Sequence, residues 1–207
     1  MIIAFIHGFI LSLGLILPLG PQNLFIFNQG ATQPKWVQTL PVVITAALCD
    51  TVLIILAVMG VSVFVMTFPT VQLILYLGGF FFLVYMGFTI WKTSNHTMQE
   101  KSKALSTRKQ ITFAISVSLL NPHALMDTIG VIGTSSLPYQ LIEEKIAFTI
   151  ACILVSWLVF LLLSYLGKVL KRLDQSGKWL NLINKISALF IWGVALLIGY
   201  YLLSLVS

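Results

Sequence analysis

Charged residues are scarce in this sequence. Only 9% of the 207 residues are Asp, Glu, Lys or Arg, whereas 58% are hydrophobic. Soluble domains carry roughly 25% charged residues, because polar groups must cover their water-exposed surface. The shortage of charge therefore excludes an ordinary soluble protein and indicates an integral membrane protein.

Cysteine is also rare, and motifs for covalent chemistry are missing. The two cysteines, Cys49 and Cys152, lie in apolar runs, and no CxxC pair occurs. This pattern gives no sign of a disulfide framework or a redox pair. The sequence also lacks paired catalytic groups and cofactor-binding motifs. We therefore predict a protein that is not an enzyme and that needs no cofactor.

Six apolar segments are long enough to cross the ~30 Å hydrocarbon core of a bilayer. The first segment is preceded by no basic region and contains no small-residue cleavage site, so we predict a retained span rather than a signal peptide. None of the segments alternates as a membrane strand would, which favours helices. The predicted spans are approximately 3–26, 38–66, 70–91, 111–135, 146–167 and 186–206.

The basic residues orient these spans. Eleven of the twelve fall in or beside the connections after spans one, three and five, and Lys145 alone falls on the other side. The positive-inside rule then predicts a multi-pass protein of a bacterial-type cell membrane with both termini outside. The asymmetry also accounts for the net charge of +6. No nucleic-acid partner is predicted, because the basic loops are short and lack interleaved aromatics.

The two halves of the chain resemble each other. GPQN interrupts span one, and NPHA interrupts span four. Three spans per half is an odd number, so the second half must be inverted, which is typical of secondary transporters. We predict an all-α membrane protein of six helices in two inverted three-helix repeats, with helices 1 and 4 broken. The chain forms one transmembrane domain: repeat one at about 1–92, a basic cytoplasmic loop at 93–110 and repeat two at about 111–207.

The first interruption lies within LILPLGPQNLFIFNQG. Proline and glycine disfavour a continuous helix, and Pro21 suits the first position of a new one. The new helix would begin at membrane depth, where its N-terminal amides attract an anion. Gln22 and Asn23 could add side-chain donors, so we predict that Gly20, Pro21, Gln22 and Asn23 bind the carboxylate of a substrate. A simple proline kink that aids helix packing is the alternative.

Two acidic residues lie within the predicted spans. One is in the second interruption, LNPHALMDTIG, and the other is in the middle of span two. Asn121 and Pro122 should break span four, and His123 and Asp127 are four residues apart on one helix face. Asp50 lies in AALCDTVLI, on a face with small residues that should point into the bundle. A carboxylate within a span is costly and usually faces a cavity. We predict that Asp50 and Asp127 bind substrate and couple protons.

These motifs resemble those of the LysE/ArgO-type basic amino-acid exporters. LPLGPQNLFIFNQG, CDTVLI and LNPHALMDT follow one another at the right distances, and the resemblance spans the whole chain. It implies two inverted three-helix repeats and efflux of lysine or arginine. Matched by motif, the implied site residues are Gly20, Pro21, Gln22, Asn23, Asp50, Asn121, Pro122, His123 and Asp127. Leu120 and Leu125 stand where relatives often have Trp and Tyr.

The functional hypothesis is a secondary active transporter that exports lysine, arginine or both, coupled to proton entry. Its partners would be the amino acid and membrane lipid, and a homo-oligomer is left open. Export of another amino acid is one alternative. A divalent-metal or other cation exporter of related fold, with Asp50, Asp127, Asn121 and His123 as ligands, is another. Trp157 matches Asp50 in the repeat, and we interpret it as a packing or cavity-lining aromatic.

Overall fold

The regular secondary structure in the described part of the chain is helical. The structure is a computed structural model, and it describes residues 1–17, 20–61, 69–95, 104–121, 125–173 and 178–206. Within these ranges there is no strand. The predicted all-α class is therefore confirmed for this part of the chain.

Eight α-helices, numbered in chain order, lie within these ranges. They are α1 (Ile2–Ile16), α2 (Pro21–Thr32), α3 (Leu40–Leu56), α4 (Pro69–Asn95), α5 (Thr107–Leu120), α6 (Gly133–Ser135), α7 (Ile142–Leu173) and α8 (Lys178–Val206). A 3₁₀ turn, Trp36–Thr39, precedes α3. Two stretches have the wider turn of a π-helix, and we call them the first π segment, Ala57–Val61, and the second π segment, Met126–Ile132.

Three continuous helical stretches in the described ranges are long and apolar enough to cross a membrane: Trp36–Gly60, Ile142–Leu173 and Asn181–Tyr200. A fourth span results if α1 and α2 are taken together as one broken helix. The prediction of helical membrane spans is thus confirmed for these elements. The arrangement of six spans in two inverted repeats stays a prediction.

The first predicted interruption separates α1 from α2. Helix α1 ends at Ile16, α2 begins at Pro21, and the two axes are bent by 75°. Proline favours this start because its fixed φ suits a first helical position, where its missing N–H would have no partner in any case. Gly20, the N-cap residue of α2, has φ −74° and ψ 177°. Other residues adopt this extended conformation, so backbone strain does not require the glycine.

The second predicted interruption follows α5. Helix α5 ends at Leu120, and Asn121 has the extended angles φ −87° and ψ 103°. Leu125, the next residue that the structure describes, is helical and leads into the second π segment. Pro122 and His123 lie outside the described residues, as does the side chain of Asp127.

Helices α3 and α7 form the centre of the bundle. Helices α1 and α2 both pack against α7, α5 and the second π segment pack against α3, and α3 and α7 contact each other. Helices α4 and α8 pair antiparallel, since Phe80 lies beside Gly199 while Lys185 lies over the ring of Trp91. The centre holds a buried apolar cluster that includes Ile26 and Phe160.

Large apolar side chains cover much of the outer surface. Ile10, Leu158 and Leu196 are each more than half exposed. Exposed apolar area on this scale is unusual for a soluble monomer. It fits a surface whose solvent is lipid.

Gly30 and Gly167 allow α2 and α7 to approach closely. A Cβ atom added to Gly30 would collide with the backbone carbonyl of Ser164, and one added to Gly167 would collide with the carbonyl of Phe27. Both collisions are with backbone, which cannot move aside as a flexible side chain can. The close crossing of α2 and α7 therefore depends on glycine at both positions.

Candidate functional site

The carboxylate of Asp50 lies at the centre of the candidate site. Nε2 of Gln22 donates a hydrogen bond to its Oδ1 at 3.0 Å, and Oγ of Ser156 donates to its Oδ2 at 3.1 Å. Each carboxylate oxygen thus has one neutral donor. The acid lies on α3 and its donors on α2 and α7, so the site joins three helices.

The break in span one positions the first of these donors. Because α2 starts at Pro21, Gln22 falls in its first turn, and its side chain is only 8% exposed. Asn23 follows, and its Nδ2 donates to the carbonyl oxygen of Ile16 at the end of α1. The polar pair predicted from the sequence therefore has two structural contacts: Gln22 reaches the acid, and Asn23 connects the two helices across the break.

Asp50 has no ion-pair partner in the part of the chain that the structure describes. The ion pair found there joins the N-terminal amine of Met1 to Glu144 at 3.8 Å. A carboxylate at membrane depth that meets only neutral donors is costly while it is charged. Such a group is suited to bind a proton or a cation that arrives from outside the protein.

Two successive side chains of α7 bond to α3, Ser156 to the acid and Trp157 to the residue next to it. Beside the Ser156 contact, Nε1 of Trp157 donates to Oγ1 of Thr51 at 3.2 Å. The sequence pattern pointed to Trp157 through its match to Asp50 in the repeat, but it did not point to Ser156. The repeat alignment could have pointed to Ser156, because it places Ser156 and Trp157 of span five opposite Cys49 and Asp50 of span two.

Asn121, from the second interruption, is buried as well. It is 4% exposed, and its Oδ1 has no hydrogen-bond partner among the described residues. A buried carbonyl oxygen of this kind is an available acceptor for an ammonium group. Of the residues predicted in this motif, it is the one whose side chain the structure describes.

Three buried glutamines connect helices at the end of the bundle that carries most of the basic residues. Nε2 of Gln33 donates to Oε1 of Gln29 at 3.1 Å and to the carbonyl of Leu105 at 2.9 Å. Nε2 of Gln110 donates to the carbonyls of Gln38 at 3.1 Å and Leu105 at 3.0 Å. These bonds join the end of α2 to the start of α5. No sequence motif pointed to these glutamines.

Lys168 completes this group, which we call the basic-end cluster (Gln29, Gln33, Gln110 and Lys168). Its Nζ donates to the carbonyls of Gln33 at 2.6 Å and Pro34 at 2.8 Å. A cation at the C-terminal end of a helix meets carbonyls that have no partner within that helix. Lys168 thereby attaches α7 to the end of α2.

A smaller polar group lies at the opposite end. Nδ1 of His7 pairs with the hydroxyl of Tyr139 at 2.7 Å, close to the ion pair of Met1 with Glu144. Burial raises the pKa of Tyr139, and the negative charge of Glu144 raises it further. The phenol therefore stays protonated near neutral pH and can donate its proton to His7.

A metal site would need several ligands to converge. No group of three His, Cys, Asp or Glu side chains that could hold a metal ion occurs in the described ranges. His123 and the side chain of Asp127, two of the four ligands of the metal-exporter alternative, lie outside those ranges.

This chain has relatives among known proteins. Residues 13–202 match the family described as LysE type translocator. YisU of Bacillus subtilis (strain 168), whose name assigns it provisionally to amino-acid transport, is 50% identical over 202 residues, 98% of this chain and 90% of YisU. The arginine exporter protein ArgO of Salmonella paratyphi A is 34% identical over 200 residues, 94% of this chain and 92% of ArgO. ArgO of Escherichia coli K12 is 32% identical over 197 residues, 93% and 91% of the two chains. No solved structure matches the chain significantly.

Proposed function

The chain belongs to the LysE type translocator family, and we propose that it is a secondary active transporter that exports lysine or arginine in exchange for protons. The observation that carries the proposal is the Asp50 carboxylate, which accepts hydrogen bonds from Gln22 and Ser156 and has no ion-pair partner among the described residues. A basic amino acid brings a side-chain cation to such a group. The arginine exporters among the relatives support this choice of substrate.

The other end of the substrate would lie at the start of α2. The first turn of a helix has amide N–H groups with no acceptor in that helix, and it attracts carboxylates. We propose that Gly20, Pro21, Gln22 and Asn23 surround the substrate carboxylate. Asn121 would accept a hydrogen bond from the α-ammonium group, and Pro122 and His123 would line the same region.

Proton exchange is proposed because charge makes export costly. Moving one positive charge out of a cell against about 100 mV, inside negative, costs roughly 2.3 kcal/mol. A proton that enters in exchange cancels this cost. A carboxylate that binds either a proton or the substrate cation couples the two movements directly, and we propose this role for Asp50 and Asp127.

Helix contacts support the proposed inverted repeat. The broken segment of each half packs against the second span of the other: α1 and α2 against α7, and α5 with the second π segment against α3. The second spans contact each other, and so do the third spans, α4 and α8. A twofold axis in the membrane plane generates this pattern of contacts.

The proposed orientation has both termini outside the cell. The basic-end cluster brings together the connection after α2, the segment before α5 and the end of α7. Met1 and Glu144 meet at the other end. The positive-inside rule then assigns the basic end to the cytoplasm.

Cysteine labelling tests this orientation. In a background with Cys49 and Cys152 replaced by alanine, Gln140→Cys should react with a membrane-impermeant maleimide on intact cells. Ser106→Cys should react only after permeabilisation. Both positions are exposed, so accessibility is matched. Labelling of Ser106→Cys on intact cells would reverse the proposed orientation.

Gly20→Leu should abolish transport while the protein still inserts. A Cβ added to Gly20 meets no atom within 4 Å, so the side chain would extend into open space beside the start of α2. That space is where the substrate carboxylate would lie. Gly20→Ala is the matched control, since its backbone angles suit alanine, and it should retain most of the flux. Full transport by Gly20→Leu would show that this space is not used.

Flux measurements test the function itself. Purified protein in liposomes loaded with labelled arginine, lysine or leucine should show saturable flux of the basic amino acids, accelerated by an opposing proton gradient. Leucine controls for leakage and for a neutral substrate. Leucine flux without arginine or lysine flux would show that the substrate is a neutral amino acid. Mn²⁺ flux without any amino-acid flux would favour a metal exporter.

A further inference from the structure

Ser156 differs from three threonines of α3 and α7 in where its hydroxyl is directed. Hydroxyl groups of Thr45, Thr51 and Thr149 donate to carbonyls four residues earlier in their own helices, a common arrangement for helical Ser and Thr. Ser156 instead donates across the helix interface to Oδ2 of Asp50. Its residue is completely buried. Its hydroxyl is therefore directed at the acid rather than at its own backbone.

The two donors to Asp50 are chemically different. Nε2 of Gln22 can only donate, whereas a serine hydroxyl carries one rotatable hydrogen and two acceptor lone pairs. It can donate to an ionised carboxylate and, after rotation, accept from a protonated one. A carboxylate has about four lone-pair sites, so two donors leave room for a cation on the same group. Ser156 can thus stay bonded to Asp50 when the carboxylate is ionised and unbound, when it is protonated, and when it is bound to substrate.

We propose that Ser156 is a positioning residue for substrate binding: it fixes Oδ2 of Asp50 so that the carboxylate presents its remaining lone pairs to the cationic end of the substrate. This role rests on the proposed function. Ser156 acts through Asp50 and is not itself assigned a contact with the amino acid.

Trp157 offers a matched control within the same interface. Ser156 bonds to Asp50 and Trp157 to Thr51, so two successive residues of α7 bond to two successive residues of α3. Trp157→Phe removes one hydrogen bond between these helices and leaves the carboxylate contacts intact. Any general loosening of the interface should appear in both Trp157→Phe and Ser156→Ala.

The experiment compares wild type, Ser156→Ala, Ser156→Thr and Trp157→Phe in liposomes, with KM and maximal rate measured for labelled arginine and lysine. Ser156→Ala should raise KM about tenfold, because a hydrogen bond to a charged group is lost and the carboxylate is free to turn. Its maximal rate should change less. Ser156→Thr should restore KM towards the wild-type value, and Trp157→Phe should leave KM within about twofold of it. Size-exclusion profiles establish that equal amounts of folded protein are compared.

The outcomes distinguish failure of the proposed function from failure of the proposed role of Ser156. If the wild type shows no saturable arginine or lysine flux, the proposed function is contradicted, and the role of Ser156 with it. If the wild type transports normally and Ser156→Ala has an unchanged KM, only the proposed role of Ser156 is contradicted. An equal rise of KM in Trp157→Phe, or no recovery in folded Ser156→Thr, would also contradict it.

Discussion

Asp50→Asn is expected to abolish uphill export of arginine and lysine without reducing the amount of inserted protein. The amide keeps the shape of the side chain but can neither carry a negative charge nor exchange a proton. Insertion should not suffer, because removing a charge from a span lowers its cost. Substrate affinity should fall by roughly 1.5–3 kcal/mol, the range for a hydrogen bond to a charged group. Efflux at several imposed pH gradients and binding calorimetry measure the two effects.

Asp127→Asn is the comparison for this result. If one acid couples protons and the other mainly binds substrate, one variant should lose the pH response and the other should mainly lose affinity. Asp50→Glu keeps the charge and should retain part of the flux. An Asp50→Asn protein that drives uphill efflux with the wild-type pH response would remove Asp50 from the mechanism.

Gly30→Ala is expected to destabilise the folded transporter by about 1–3 kcal/mol, the usual range for overpacking a tight contact. The added methyl group would meet the backbone of Ser164, so α2 and α7 would have to separate. Since α2 also carries Gln22, separation should move the donor away from Asp50 and reduce transport. Thermal unfolding of the purified protein in detergent measures the first effect, and liposome flux measures the second.

Gly14→Ala is the matched control for Gly30→Ala. Gly14 also lies inside a helix, but a Cβ there meets nothing within 4 Å. Alanine has the higher helix propensity by about 1 kcal/mol, so this variant should unfold at the same or a higher temperature. Equal stability of the Gly30→Ala and Gly14→Ala variants would show that the α2–α7 crossing tolerates a wider separation.

The helix interruption at GPQN could be predicted because its cause is local. Proline and glycine limit backbone conformation wherever they occur, so Pro21 marks the start of α2 from sequence alone. The helical class was predictable for a related reason: lipid satisfies no backbone hydrogen bonds, and each apolar span must satisfy its own.

The contacts of the site could not be predicted in the same way. Ser156 lies 106 residues from Asp50 in the chain, and a serine in an apolar run looks the same as Ser12 or Ser164. The amide of Gln22 was expected to donate to the carboxylate of the substrate, but its Nε2 donates to the carboxylate of Asp50. Such partners are set by how helices pack, which short-range sequence patterns do not encode.

Helical periodicity also failed where the helix changes its turn. A regular helix predicts that Ala46, Ala57 and Gly60 share the packed face of Asp50. Ala46 and Ala57 are buried, but Gly60 is exposed and has a φ of +98° at the end of the first π segment. A π turn has more residues than an α turn, so positions beyond its start no longer follow the 3.6-residue period.

The basic-end cluster determines how readily that end of the bundle can open. Four of its hydrogen bonds join separate segments of the chain: one from Gln33, one from Gln110 and two from Lys168. Water can replace each of them, so a bond from a neutral glutamine adds only about 0.5–1.5 kcal/mol to the cost of separation, and a bond from the charged Lys168 adds about 1.5–3 kcal/mol. Exposing one buried side chain of the size of Ile or Phe to water also costs about 1.5–3 kcal/mol, and several of them lie together in the apolar centre. Amide hydrogen exchange should therefore begin earlier at the end of α2 and the start of α5 than in the apolar centre between α3 and α7.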